Sequence, residues 1–357
     1  MDKRKSYYDI IRILAVFLVI FNHTPGYHLP YNYKGLAFPI LLFAPIVKMA
    51  VPLFFMMSGA LLLSKQESIN CILKKRILRF LCVIILFQLL QHAFYLACFN
   101  NGDHEISISS FVRACFTCHS FVTGRTSAWA VWFLYAYLAY LLLLPFLRCM
   151  VRNMEKIHFY YLAFLQIVLI AIVPCVFAIA CGEKCEKIAI SHYLFLCSNV
   201  IMWTVAGYFV ENKVDINTLK KRHFLILILV SVIFIVFAGV SPEIIRESTN
   251  AQLPLQEEPN VIHFLLIPCC TFVLVVKKLF ALRPPSAPVT RALQCAGEAV
   301  FSIVIIENIL RLGIYKLLFP KYYSTFWPSV WVSCLALLSG LFLGIILKKM
   351  PYIRKLL

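Results

Sequence analysis

Residues 8–27 read YDIIRILAVFLVIFNHTPGY, and the placing of this stretch decides the fold. It is apolar from Ile10 to Phe21 apart from Arg12, and His23 follows the run. A bilayer core about 30 Å thick takes roughly 20 residues of helix, so the segment is just long enough to cross one. Lys3, Arg4 and Lys5 in front of it give the outline of a secretory signal, but His23-Thr24-Pro25-Gly26-Tyr27 offers no small-x-small cleavage site. It therefore reads as a retained first membrane helix that carries polar residues for a reason.

The rest of the chain repeats the pattern. Windows 39–63, 80–99, 129–147, 159–180, 191–210, 223–240, 261–280, 299–319 and 329–347 are long and apolar enough to span. The 357 residues are 62% hydrophobic and 14% charged, whereas a soluble domain averages about 45–50% and about 25%. A secreted disulfide scaffold, a disordered tail protein and an ordinary cytosolic enzyme are excluded. The formal charge of +18 is not spread evenly. The N-terminus and every second connection hold 23 of the 34 Lys and Arg, and the opposite loops hold 7. Arg12, Lys48, Arg311 and Lys316 fall inside windows. By the positive-inside rule both termini are cytoplasmic. The expected architecture is all-α: a polytopic membrane protein of about ten transmembrane helices, forming one integral membrane domain over 1–357 in the plasma membrane. Nucleic acid is not an expected partner, because the basic residues are dispersed over separate segments with no aromatic-interleaved face. Membrane lipid is one.

Most of the fourteen cysteines lie inside windows, where they act as small apolar side chains. Cys115-Phe116-Thr117-Cys118-His119, in an outer loop, formally matches a haem-attachment pattern. The loop offers no haem-burying domain, so a disulfide or free thiols are the expectation there.

Ionisable residues within spans are costly and are default candidates for function. Arg12 and His23 are eleven residues apart, three helical turns plus roughly 20°, which puts them on one face about 16 Å apart along the axis. Two readings are open. Either they line a path from an anionic ligand to a reaction centre, or Arg12 snorkels to the headgroups and His23 caps the helix end. In the second window, Pro52 can kink the helix and Ser58-Gly59 allows close helix contact; a nucleophilic Ser58 would need a base beside it. Arg76 and Arg79, at i,i+3 in a cytoplasmic segment, present two guanidinium forks to one side. They suit either bidentate phosphate binding or a plain topological anchor.

Together these residues resemble the acyltransferase-3 family of integral membrane O-acyltransferases. Tyr8-Asp9-Ile10-Ile11-Arg12 through His23 looks like its Arg-x10-His first helix. Val51-Pro52-Leu53-Phe54-Phe55 with Ser58-Gly59 is similar to its Phe-Phe-x-x-Ser-Gly segment. The Arg76-x-x-Arg79 pair, and Trp132-Phe133-Leu134-Tyr135 with Pro145, also fit. One stretch departs: the family commonly carries Tyr-Leu-Ile-His in its penultimate region, where this chain has Phe301 to Asn308 with Glu307 in the place of His. Glu307 and Arg311, at i,i+4, read equally as an intramembrane ion pair or as a carboxylate that orients His23 or the acceptor hydroxyl.

The resemblance implies a donor acyl-CoA, usually acetyl-CoA, reaching the protein from the cytoplasm as a co-substrate, with no bound cofactor or metal. It implies an acceptor hydroxyl on a cell-surface sugar, polysaccharide or lipid-linked glycan. His23 would be the general base, Arg12, Arg76 and Arg79 would hold donor phosphates, and Trp132, Tyr135, Asn308 and Arg311 would line the acceptor side. Two other functions remain compatible with intramembrane charges: export of a polysaccharide or its precursor without acyl transfer, and a non-catalytic membrane sensor or scaffold.

Overall fold

A computed structural model describes residues 5–24, 26, 38–99, 131–181, 194, 199–249, 260–319 and 326–351. The Cys115–His119 cluster lies outside the described residues. Among those residues the chain is helical, without strands: α1 (Ser6–Asn22), α2 (Phe38–Lys48), α3 (Ala50–Leu62), α4 (Leu78–Phe99), α5 (Val131–Asn153) and α6 (Lys156–Leu165), then α7 (Val173–Cys181), α8 (Asn199–Asn212), α9 (Lys221–Thr249), α10 (Leu266–Leu282), α11 (Ala287–Leu318) and α12 (Phe326–Leu347). Among the described residues, six stretches are long and apolar enough to cross a membrane: Leu42–Leu62, Trp132–Asn153, Lys156–Phe177, Lys221–Pro242, Ala287–Leu318 and Phe326–Leu347. The chain is thus a polytopic helical membrane protein. The windows at 8–27 and 261–280 hold helices of 17 residues each, and 191–210 overlaps the 14-residue α8.

Lipid gives helices no hydrophobic reason to associate, so close packing and polar contacts must hold them together. The α3–α8 crossing shows how closely they approach. A methyl group added at Gly59 would overlap the Thr204 carbonyl, and one added at Gly207 would overlap that of Met56. Each glycine admits the other helix's backbone, which is the close contact that Ser58-Gly59 foreshadows in the sequence. Around this crossing pack Phe55, Met56 and Trp203, all essentially without exposed surface.

Helices α11, α12 and α1 form a second tight set. Gly340 and Gly344 of α12 face Ile303 and Ala299 of α11. Ser329 ties three segments: its hydroxyl meets Tyr315 Oη at 2.8 Å and accepts from the Gly26 amide at 2.9 Å. A side chain at Gly26 would collide with Ser329, so the turn after α1 is pinned to α12 by a position that only glycine can fill. That pin fixes the residues just before it, among them His23.

Opposite His23, at the N-terminal end of α1, a second tie holds the helix. Glu211 at the end of α8 takes hydrogen bonds from Lys5 and Tyr7 and pairs with Lys277 of α10 at 3.2 Å. Burial works to raise the Glu211 carboxyl, but Lys5, Tyr7 and Lys277 outweigh it and hold it below the usual carboxylate range. Helix α1 is therefore anchored at both ends.

Candidate functional site

His23 is the residue on which α1 ends, its amide still bonded to the carbonyls of Val19 and Ile20. Its imidazole turns to α11, where Nδ1 lies 2.8 Å from Glu307 Oε1. A carboxylate only accepts, so Nδ1 carries the hydrogen of this contact, and in the neutral form of the ring Nε2 is the nitrogen with the lone pair. Both side chains are almost fully buried, at 7% and 1% exposed. Arg311, one turn along α11, sets Nε 3.6 Å from Glu307 Oε2, an ion pair beyond hydrogen-bond distance, and donates to Asn308 Oδ1 at 2.6 Å. Glu307 and Arg311 balance each other's charge, which lets a carboxylate stand buried beside the imidazole. His23, Glu307, Asn308 and Arg311, picked out separately in the sequence, form one constellation.

Arg12, Arg76 and Arg79 form another. They line a cavity of about 610 Å³ between α1, α3, α4, α5 and α11. Lys75 and Lys348 add two cations, against the carboxylates of Glu67 and Glu298. Positive charge is in excess, as an anionic ligand requires. The remaining wall is aromatic: Phe80 lies 5.0 Å from Tyr137 and 5.8 Å from Phe301 between ring centroids, and Tyr137 lies 6.0 Å from Phe133. Ser58 also lines the cavity, its hydroxyl donating to the Phe54 carbonyl one turn back at 2.9 Å.

Arg12 is held from below. Asp9, fully buried, sets Oδ1 3.5 Å from Arg12 NH1. It packs against Gly297 of α11 so closely that a methyl group there would strike the carboxyl. Nothing in the sequence marks Asp9 beyond its place in the motif; the close approach of Gly297 emerges only in the packing.

The Arg76–Arg79 pair differs from the simple helical expectation. Residues Leu73–Ile77 form a π-helical turn, and α4 begins at Leu78; such turns recur at functional sites. Arg76 is clamped by Glu67, with Nε to Oε2 at 3.0 Å and NH2 to Oε1 at 2.5 Å. Arg148 of α5 also donates to Glu67 Oε2 at 2.9 Å and to the Leu62 carbonyl at 3.0 Å. These hydrogen bonds, Arg76's first and against the opposing effect of burial, pull the Glu67 carboxyl from its ordinary 4.5 to about 2. Arg79 is also pushed down, below the usual guanidinium range, first by burial and then by Arg76. Glu67 and Arg148 were not singled out in the sequence. They sit in or beside apparently topological charge runs, and only the folded chain brings them together.

Trp132 and Tyr135 fall outside the cavity wall. On α5 the lining residues are Phe133, Tyr137 and Leu141, spaced i, i+4, i+8 on one face. At about 100° per residue, Trp132 and Tyr135 point elsewhere. Trp132 is 44% exposed and Tyr135 packs against the main core.

Fold and site together define a helical membrane protein that holds a buried histidine–carboxylate pair and a cation-rich chamber. A family model described as an acyltransferase domain matches residues 5–349, and the chain belongs to that family, acyltransferase-3. No curated protein and no solved structure matches it.

Proposed function

We propose that this membrane acyltransferase moves an acyl group, acetyl in the first instance, from acyl-CoA to a hydroxyl of a cell-surface sugar, polysaccharide or lipid-linked glycan. The observation that carries the reading is the His23 Nδ1–Glu307 Oε1 contact at 2.8 Å, standing on the same two helices as the cation-rich chamber. The full topology in this reading is about ten spans in the plasma membrane with both termini cytoplasmic, which opens the chamber's Lys75 and Lys348 end to cytoplasmic CoA.

The chemistry follows from the geometry. The phosphates of CoA meet Arg12, Arg79 and Lys75, with Arg76 shared between Glu67 and the donor. The pantetheine arm runs along the aromatic wall. Nε2 of His23, left with its lone pair by the Glu307 contact, takes the proton of the acceptor hydroxyl as that oxygen attacks the thioester carbonyl carbon. Glu307 steadies the imidazolium that forms and fixes its orientation. The tetrahedral intermediate collapses with cleavage of the C–S bond, and the imidazolium returns the proton to the CoA sulfur. One ester and one CoA thiol result. Asn308, Arg311 and the exposed Trp132 ring are assigned to the acceptor side. The exporter alternative finds no support in the family match.

The test uses membranes carrying the full chain, incubated with acetyl-CoA labelled in the acetyl group. Label should enter the glycan fraction, and R12A or H23A should abolish its entry. Glycan labelling that survives both substitutions overturns the reading.

A further inference from the structure

The chamber does not reach His23. On each of three helices its lining stops at one residue, and the three residues belong to one apolar packing group. On α11 the lining runs from Gly297 to Val304, on α5 from Leu141 to Phe133, and on α3 from Ser58 to Phe54. The Phe54 and Phe133 rings lie 5.9 Å apart, and both pack on a buried cluster that contains Val304, Val16 and Ile20. Phe55 backs Phe133 at 5.4 Å. Val304 is three residues short of Glu307 and Ile20 three short of His23, about 4.5 Å of rise in each case. An apolar cap therefore bounds the donor chamber within one turn of the dyad, at the end opposite its cations.

Such a cap is where the acyl end of a donor must lie if the phosphates sit on Arg12, Arg76 and Arg79. It is built from two rings and a β-branched side chain, with no polar atom to reward a hydroxylated or carboxylated acyl group. Resting on the acyl-CoA reading above, we propose that Phe54, Phe133 and Val304 set the size of the acyl group: a short, unsubstituted acyl group fits against the cap at the dyad end of the chamber, and each lengthening of the chain must displace a ring. In close-packed interiors a single methylene is felt, and one methylene too many in an apolar pocket costs about tenfold or more in specificity.

The experiment measures release of CoA thiol from acetyl-, butyryl- and hexanoyl-CoA by membranes containing the full chain. The wild type should favour acetyl-CoA. F54A and F133A should each shift the hexanoyl-to-acetyl ratio of kcat/KM upward by about tenfold or more. V304F should move the other way and penalise butyryl-CoA against acetyl-CoA. Should either alanine variant fail to fold, F133L and V304A open the cap by less and should shift the ratio in the same direction. Ratios within twofold of wild type in variants that still turn over acetyl-CoA overturn the cap, as does a wild type that uses hexanoyl-CoA as well as acetyl-CoA. A wild type that neither binds acetyl-CoA nor releases CoA from any donor overturns the acyl-CoA reading itself, and the cap with it.

Discussion

His23 and Glu307, 284 positions apart in sequence, meet through a 2.8 Å contact between Nδ1 and Oε1. The contact depends on α1 being pinned at its far end by Gly26 on Ser329 and at its start by Lys5 and Tyr7 on Glu211. It also decides which imidazole nitrogen is engaged by the carboxylate.

The first prediction concerns that decision. In E307Q the amide can donate to Nδ1, which moves the hydrogen to Nε2 and removes the base. Turnover with acetyl-CoA should fall by about 10²–10⁴-fold, the range associated with losing a general base. The KM for acetyl-CoA should change little, because Glu307 does not line the donor chamber. A large rise in KM with kcat preserved would place Glu307 in donor binding instead.

Asp9 and Gly297 should behave as one unit. D9N removes the carboxylate beside Arg12, and G297A removes the space that carboxylate occupies. Both should weaken acetyl-CoA binding by several-fold to about tenfold, the scale of one charge-assisted contact. The double variant should be little worse than either alone, as expected of residues sharing one interaction. Additive losses would show that the two act separately.

The α3–α8 crossing gives a stability prediction with an internal control. Gly59→Ala must push two helix backbones apart, and overpacking of this kind costs about 1–3 kcal/mol or more. Gly313→Ala meets nothing within 4 Å and gains helix propensity. Thermal unfolding in detergent should fall in the first variant and hold or rise in the second. Equal effects would contradict the crossing.

Glu67 yields a pH dependence. Its folded carboxyl, at about 2, lies below its ordinary 4.5, so the clasp on Arg76 and Arg148 adds stability that is full above about pH 4.5 and is lost as pH falls toward 2. The gap in melting temperature between wild type and E67Q should therefore be widest near neutrality and close in acid. A gap that widens in acid would reverse the sign and exclude the clasp.

These sites differ in how plainly the sequence announces them. Arg12 and His23 share one helix, so spacing alone puts them on one face, and an arginine within an apolar run draws notice by itself. Glu307 stands out in the same way, as an acid in a span, but its partners are a matter of tertiary packing: it pairs with Arg311 and its Oε1 meets His23 Nδ1. The Glu67 clasp is hidden because Arg148 comes from 81 positions away and looks like any positive-inside charge. The wall of α5 is hidden for a different reason. An aromatic run shows that a helix is rich in rings without showing which face turns inward, and it is Phe133 and Tyr137 that line the chamber. The π-helical turn at Leu73–Ile77 has no signature in hydrophobic periodicity at all.

The most direct test of the central claim is the single-turnover rate of acyl transfer by H23A, measured with acetyl-CoA on membranes carrying the full chain, alongside the affinity of the same variant for CoA. His23 lies outside the donor chamber, so CoA affinity should match wild type while the rate falls by about 10²–10⁴-fold. A rate equal to wild type at unchanged affinity would contradict the account.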